Sequence, residues 1–262
     1  MTKKIPVIIN TYRRIEEVQR CVNSIDREYF IPWVFYPPDE QHTFDSNVLT
    51  TVIPKELIGV GAGGPRAFAM EHVDSEYAII MDDDAYCTKN SKMQLLINDL
   101  KDYKNLATVD RKPSWPPKKG QNNIAEYLQK NHVSGIIYAV RMNAYNEVGG
   151  FNPNLAYYED VEISKRYQIA NWEMASDMRV NINFKVYARG GLDSVRKEKN
   201  QTVDEMKLSS LQIIFNTWPE NCFRPAGKRV TGPVWKKGKL IELQEKYKDG
   251  KLSLSSDGVK ML

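Results

Sequence analysis

The sequence is poor in the residues that several classes of protein require. Its three cysteines, Cys21, Cys87 and Cys222, lie far apart without a CxxC pair, which argues against a disulfide framework and a zinc knuckle. Its three histidines are not spaced as in an HExxH zinc enzyme. No run of about 18 apolar residues occurs, so we expect no transmembrane segment. The N-terminal apolar run is too short for a secretory signal peptide, and we therefore expect a cytoplasmic protein.

What the chain does have is enough apolar material for a large core. Of its 262 residues, 42% are hydrophobic, which suits one large domain or a domain with an appendage and argues against disorder. The net charge is only +4, but residues 224–239 contain six Lys or Arg side chains and no acidic one. A basic patch there, beside Trp235, would attract a polyanion; the alternative is a solvated tail.

The order of apolar segments predicts an α/β fold. Strands are expected at 5–9, 33–36, 48–53, 77–81, 134–142 and 180–188, and helices at 15–25, after the glycine-rich loop 59–64, at 93–103, from about 158 and at 203–216. Alternating strands and helices favour a mostly parallel sheet, which binds its ligand beyond the carboxyl ends of the strands. Residues 10–13, 59–64 and 82–84 should therefore converge. We expect residues 1–216 to form the catalytic domain and residues 217–262 a basic C-terminal extension.

Three adjacent carboxylates, Asp82, Asp83 and Asp84, follow the apolar strand at 77–81. Like charges this close raise each other's pKa unless a cation neutralises them. Mn²⁺ or Mg²⁺ would suit these oxygens and could bridge the protein to a diphosphate. Asp82 and Asp84 could share a face of the strand. The alternative is an ordinary turn and capping cluster.

Together with its surroundings, this acidic run resembles the Asp-x-Asp (DXD) motif of family-2-like glycosyltransferases of the GT-A fold. The resemblance covers residues 5–190. It rests on the first strand ending in Thr11-Tyr12-Arg13, the glycine-rich segment with Arg66, the strand before Asp82, and the segment GGFNPNLAYYEDVEISKR at 149–166. It implies a Rossmann-like mixed, mostly parallel sheet flanked by helices, and an enzyme that moves a sugar from a nucleotide-sugar donor, in the first instance a UDP-sugar, to an acceptor hydroxyl with inversion.

The resemblance also assigns roles to residues. Donor-binding residues would be Thr11, Tyr12, Arg13, Arg66, Asp82 and Asp83, with Tyr12 stacking on the base and Arg13 reaching a phosphate. Metal ligands would be Asp84 and Asp82, with Asp83 the ambiguous member. Glu159 and Asp160, at the start of a helix, would carry the catalytic base, and Asp160 is favoured. The alternatives are a surface role for Arg66 and an N-capping pair for Glu159 and Asp160.

One feature of the family is missing, because no histidine follows His132 to serve as a late metal ligand. Asp193 or water could take its place. Gly190 and Gly191 could bring backbone amides to the diphosphate.

The acceptor is suggested by a second, partial resemblance. The segment GVGAGGPR, the small size and the basic C-terminal region are similar to phage-encoded and TET-associated glycosyltransferases, which add sugars to hydroxymethylated pyrimidines in DNA. This implies a bacteriophage DNA-modification enzyme that acts in the host cytoplasm and binds double-stranded DNA. The DNA-contacting residues would be Trp115, Lys118, Lys119, Arg224, Lys228, Arg229 and Trp235.

Three alternatives remain open at this point. The acceptor could be a polysaccharide, a lipid or a protein. The chain could instead be a nucleotidyltransferase, which also uses carboxylates at a strand end with Mg²⁺, although it would usually carry an N-terminal glycine-rich loop that is absent here. It could also be a non-catalytic nucleotide-sugar binding module.

Overall fold

An eight-stranded mixed sheet organises the chain in the computed structural model. The structure describes residues 4–58, 61–89, 91–111, 127–129, 136–177, 179–180, 182–184, 206–207, 209–210, 213–214, 252–255 and 258–261. Among these residues, no helix is long and apolar enough to cross a membrane. The cytoplasmic location stays a prediction.

The first half of the chain builds one side of this sheet. Its elements are β1 (Ile5–Asn10), α1 (Ile15–Ser24), β2 (Phe30–Tyr36), β3 (Leu49–Val52), α2 (Lys55–Ile58), α3 (Gly63–Glu71) and β4 (Tyr77–Met81). Strand β1 pairs in parallel with both β2 and β4, and β2 pairs in parallel with β3. The carboxyl ends of β1 and β4 therefore lie side by side, as the sequence predicts.

The second half extends the sheet and adds two small ones. Its elements are β5 (Ala85–Cys87), α4 (Gln94–Asp102), β6 (Leu106–Arg111), β7 (Tyr127–Gln129), β8 (Ile137–Arg141), α5 (Met142–Glu147), α6 (Glu159–Ile169), β9 (Glu173–Asp177), β10 (Ile182–Phe184), β11 (Leu252–Ser255) and β12 (Gly258–Met261). The strand order is β3-β2-β1-β4-β8-β6-β9-β7, while β5 pairs with β10 and β11 with β12. Only β8 and β7 run against the other strands of the large sheet, which confirms the mixed, mostly parallel sheet.

Helices cover both faces of the sheet, because the central strands are apolar on both sides. Side chains alternate between faces along a strand, so neighbouring residues of β4 enter different cores. Ile79 packs with Val18 of α1 in one core. Ile80 packs with Met70 of α3 and Ile163 of α6 in the other. This layering holds the first residues of α1, α3 and α6 around one edge of the sheet.

The predicted boundary between residues 216 and 217 remains a prediction. Residues 206–207, 209–210 and 213–214 are helical, within the helix expected at 203–216.

Candidate active site

A cleft of about 490 Å³ opens where β1 and β4 end. It collects side chains from four separate parts of the chain: the loop after β1, the start of α3, the run after β4 and the start of α6. The predicted residues that line it are Thr11, Tyr12, Arg66, Asp82, Asp83, Asp84, Glu159 and Asp160. The convergence expected from strand order is therefore present in the structure.

Asp83, whose role was ambiguous in the sequence, ties the first loop to the end of β4. Its Oδ2 accepts a hydrogen bond of 2.8 Å from Thr11 Oγ1, and its Oδ1 lies 2.8 Å from Arg14 Nη1. The side chain is buried, and this burial raises the pKa of Asp83 to about 6, against the opposing effects of Arg14 and Thr11. Through these contacts, Asp83 links the loop after β1 to the acidic run after β4.

Arg14, rather than Arg13, is the arginine of the first loop that lines the cleft. Its Nη1 also contacts Asp84 Oδ2 at 3.1 Å. Arg13 adopts a left-handed conformation with φ of 55°, its side chain is half exposed, and its Nη2 lies 4.0 Å from Asp39 Oδ2. The phosphate contact assigned to Arg13 stays a prediction, but the structure places its neighbour in the cleft. Sequence reasoning missed Arg14, and the adjacent pair Arg13-Arg14 was the only signal.

Arg66 joins the two sides of the cleft. Its Nη2 donates to Asp82 Oδ1 at 2.7 Å, and its Nη1 forms an ion pair with Glu159 Oε1. Arg66 is buried, and its guanidinium is engaged by two carboxylates from elements far apart in the sequence. Loss of solvent raises the pKa of both Asp82 and Glu159 to about 7, and the Arg66 cation works in the opposite direction.

The glycine-rich segment serves close backbone packing. Gly61 has φ of 98°, and a Cβ at this position would lie 2.3 Å from Ala156 Cα. A Cβ at Gly63 would lie 2.5 Å from the carbonyl oxygen of Leu155. Backbone hydrogen bonds from Ala62 N to Ala156 O (3.2 Å) and from Gly63 N to Leu155 O (2.9 Å) follow from this approach. The segment therefore brings the start of α3, with Arg66, against the loop that precedes α6.

Helix α6 begins at Glu159, and its first turn is acidic. Tyr158, the N-cap residue, has φ of 67° and makes no side-chain capping hydrogen bond. Both Glu159 and Asp160 line the cleft, but Glu159 is buried against Arg66, whereas Asp160 is only partly buried. Asp160 Oδ1 accepts from the amide of Val161 at 2.8 Å, so a local capping contact coexists with its position in the cleft. A backbone hydrogen bond at the start of the helix acts to lower the pKa of Glu159, but the effect of burial is larger.

Several predicted site residues lie outside the described residues. These are Gly190, Gly191, Asp193, Trp115, Lys118, Lys119, Arg224, Lys228, Arg229 and Trp235. The part of the chain that the structure describes contains no group of three or more His, Cys, Asp or Glu side chains placed to hold a metal ion. A cation at Asp82 and Asp84 would thus need further ligands from water, from the substrate or from elsewhere in the chain.

The chain resembles known proteins in its fold and not in its sequence. No protein-family model matches it, and a search by sequence among curated proteins finds no match. S. aureus TarS 1-349 in complex with UDP-GlcNAc is 14% identical with a TM-score of 0.55, over 99% of this chain and 97% of that one. The mannosyltransferase PcManGT from Pyrobaculum calidifontis, in complex with GDP-Man and Mn²⁺, is 13% identical with a TM-score of 0.56, over 94% and 70%.

GalNAc-T7 with UDP, GalNAc and Mn²⁺ is 12% identical with a TM-score of 0.59, over 94% of this chain and 54% of that one. This chain thus spans about half the length of GalNAc-T7. Likeness at such low identity concerns the fold, and it confirms the predicted one. The protein has the GT-A fold of these glycosyltransferases.

Proposed function

We propose that this protein is a metal-dependent glycosyltransferase that moves a sugar from a nucleotide-sugar donor to an acceptor hydroxyl. One observation carries the proposal. The GT-A fold places the carboxylates after β4 and the carboxylates that begin α6 in a single cleft. The carboxylates after β4 can bind a diphosphate through a divalent cation, and those at the start of α6 can activate a hydroxyl.

The donor would lie along the ends of β1 and β4. Tyr12 lines the cleft, where its ring could stack on the nucleoside, and the neighbouring Thr11 is held by its hydrogen bond to Asp83. The similar structures contain UDP-GlcNAc, GDP-Man, and UDP with GalNAc. A UDP-sugar is the donor that we would test first.

Mn²⁺ or Mg²⁺ would be held by Asp84 and Asp82, with diphosphate oxygens and water completing its shell; Asp193 stays a predicted third ligand. The two aspartates fit such a cation, since the protein atoms that would bind it are all carboxylate oxygens. With every group ionised, the carboxylates that line the cleft, Asp82–Asp84, Glu159 and Asp160, carry five negative charges against the two positive charges of Arg14 and Arg66, which leaves a net charge of −3. The cation would neutralise the charge of the leaving diphosphate.

Asp160 would act as the catalytic base. The acceptor oxygen attacks the anomeric carbon, the bond from that carbon to the diphosphate oxygen breaks, and Asp160 takes the hydroxyl proton. Displacement in one step inverts the configuration at the anomeric carbon. Glu159 is buried against Arg66, which leaves Asp160 as the carboxylate of this pair better placed to meet an acceptor.

The sequence suggests more than one kind of acceptor. A hydroxymethylated pyrimidine in double-stranded DNA stays a prediction, because the residues expected to contact DNA lie outside the described part of the chain. A polysaccharide, lipid or protein acceptor is the alternative within the same activity. A nucleotidyltransferase or a non-catalytic nucleotide-sugar binding module is the alternative of another class.

The test is a donor screen with two matched variants. The protein is incubated with Mn²⁺ or Mg²⁺ and a panel of UDP- and GDP-sugars, with and without hydroxymethylcytosine DNA, and released nucleoside diphosphate is measured. We expect release that requires the metal. Asp160→Asn should lower turnover by about 10²–10⁴-fold with donor binding kept. Asp84→Ala should weaken metal-dependent donor binding.

Asp102→Asn provides the control, since this carboxylate is exposed on α4 away from the cleft. Unchanged turnover in both cleft variants would refute the mechanism. Release of pyrophosphate from a nucleoside triphosphate and a sugar phosphate would indicate a nucleotidyltransferase. Donor binding without any turnover would indicate a binding module.

A further inference from the structure

The described residues of segment 206–214, which are 206–207, 209–210 and 213–214, pack against the loop 155–158 beside the cleft. They are helical, and Met206, Ser210 and Ile214 are all buried. These three residues are spaced four positions apart, which is the spacing of residues on one side of a helical turn. Ile214 packs against Leu155, together with Tyr158. This side therefore meets the loop 155–158, which ends at the first residue of α6.

Ser210 makes the polar contacts of this interface. Its Oγ accepts a hydrogen bond from Ala156 N at 3.1 Å and another from Tyr157 N at 3.0 Å, and it donates to Met206 O at 3.1 Å. A serine hydroxyl has one proton and two lone pairs, so all of its hydrogen-bonding capacity is used. Ser210 is only 1% exposed, so water does not reach the hydroxyl easily in place of these partners.

The loop is held from its other side by the glycine-rich segment. The carbonyl oxygens of Leu155 and Ala156 accept from the amides of Gly63 and Ala62, while the amides of Ala156 and Tyr157 donate to Ser210. The glycine-rich segment thus binds the carbonyl oxygens of the loop, and Ser210 binds its amides. The loop ends at Tyr158, whose left-handed φ of 67° is strained for a bulky residue and persists only where the surroundings impose it.

We propose that Ser210 is a positioning residue for the acceptor side of the cleft. It acts through the loop, which presents Tyr157 and Tyr158 to the cleft and sets where α6 begins, and hence where Asp160 stands. The inference rests on the proposed function, and it assigns to segment 206–214 a part in the same site. The donor-side contacts among Thr11, Arg14 and Asp82–Asp84 do not involve Ser210.

The experiment compares Ser210→Ala with Ser210→Thr in the full chain. Ser210→Ala leaves two buried amides without an acceptor, so hydrogen exchange in the 155–158 peptide should become about tenfold faster. With UDP-GlcNAc, UDP-glucose and Mn²⁺ as probes and water as the acceptor, kcat for donor hydrolysis should fall about tenfold while the donor KM stays within about twofold. Ser210→Thr keeps the hydroxyl and should restore both values.

Ser91→Ala is the matched control. Ser91 is also buried, and its Oγ accepts from the amide of Thr88 at 2.5 Å, but it does not line the cleft. It should change neither the exchange of the 155–158 peptide nor kcat. Unchanged exchange or unchanged kcat in Ser210→Ala would overturn the positioning role, and so would an equal loss of kcat in Ser91→Ala. Absence of nucleoside diphosphate release by the wild-type protein across the whole panel of donors, with and without acceptor, would overturn the proposed function, whereas the exchange result reports on the Ser210 contacts independently.

Discussion

Arg14 and Arg66 are the residues on which the charge balance of the cleft depends. Each one contacts two carboxylates: Arg14 meets Asp83 and Asp84, and Arg66 meets Asp82 and Glu159. Burying carboxylates is costly unless a cation pairs with them, and a planar guanidinium can serve two at once. Removing either arginine would leave two carboxylates of the cleft uncompensated.

The first prediction compares the two adjacent arginines of the first loop. Arg14→Gln should lower metal-dependent donor turnover by about tenfold or more, because Asp83 and Asp84 lose their shared cation and the loop loses its anchor to β4. Arg13→Gln should change turnover by no more than about twofold, since its side chain is half exposed outside the cleft lining. Steady-state kinetics on both variants provides the check. A larger loss in Arg13→Gln would restore the phosphate contact predicted for Arg13.

At the scale of elements, the buried strands β6 and β9 are present in the structure but were not predicted from the sequence. Both are buried in the large sheet, yet their sequences, LATVDR and EMASD, are short and partly polar. Three of their polar residues have partners inside the protein: Ser176 of β9 donates to Asp110 of β6, 66 residues away, and Asp177 pairs with Arg179, two residues further along the chain. Hydrophobic periodicity cannot detect strands whose polar groups are paired in this way.

The second prediction concerns the packing of the glycine-rich segment on the loop before α6. Gly61→Ala should destabilise the protein by about 2–4 kcal/mol, because it adds a clash with the Ala156 backbone to an unfavourable positive φ. Gly149→Ala is the matched control: its φ is 81°, but the added Cβ would meet only Arg166 Nη1 at 3.7 Å. It should cost about 1–2 kcal/mol. Urea denaturation measures the loss in free energy of unfolding for each variant. Equal losses would show that the clash with the Ala156 backbone is relieved at no cost.

At the scale of the whole molecule, Asp99 is a buried carboxylate outside the cleft that couples stability to pH. Asp99 of α4 lies 3.0 Å from Arg179 Nη2, but the same guanidinium also serves Asp177. Burial first, and then the neighbouring Asp177, raise the pKa of Asp99 to about 7, while Arg179 opposes the shift. An unfolded chain would release this proton near its ordinary pKa of 3.8. The folded state therefore binds the proton more tightly, and this contribution to stability is complete below about pH 4 and lost as pH rises through 7.

The third prediction follows from this loss of stability with rising pH. Asp99→Asn imitates the protonated carboxyl, so the free energy of unfolding of the variant relative to the wild type should increase between pH 5 and pH 8. Chemical denaturation at both pH values measures the difference. Asp102→Asn, at an exposed position of the same helix, should leave the pH dependence unchanged. If the difference in free energy of unfolding between Asp99→Asn and the wild type were the same at both pH values, the raised pKa of Asp99 would be contradicted.

The sequence by itself determined the order of strands and helices up to β4 apart from the short helix α2, the acidic run at the end of a buried strand, and the acidic start of α6. These features depend on local spacing, and local spacing is what hydrophobic periodicity reports. Because parallel strands end at a common edge, connectivity also predicted that the loop after β1, the start of α3 and the run after β4 would converge.

Only the tertiary structure decided which side chains meet within the cleft. The left-handed turn at Arg13 puts Arg14 in the cleft, and close packing through Gly61 brings Arg66 to Glu159, 93 residues away. Ser210 likewise reaches the loop before α6 from more than 50 residues away. Contacts of this kind depend on backbone conformation at single residues and on packing between distant segments, and neither leaves a periodic signal in the chain.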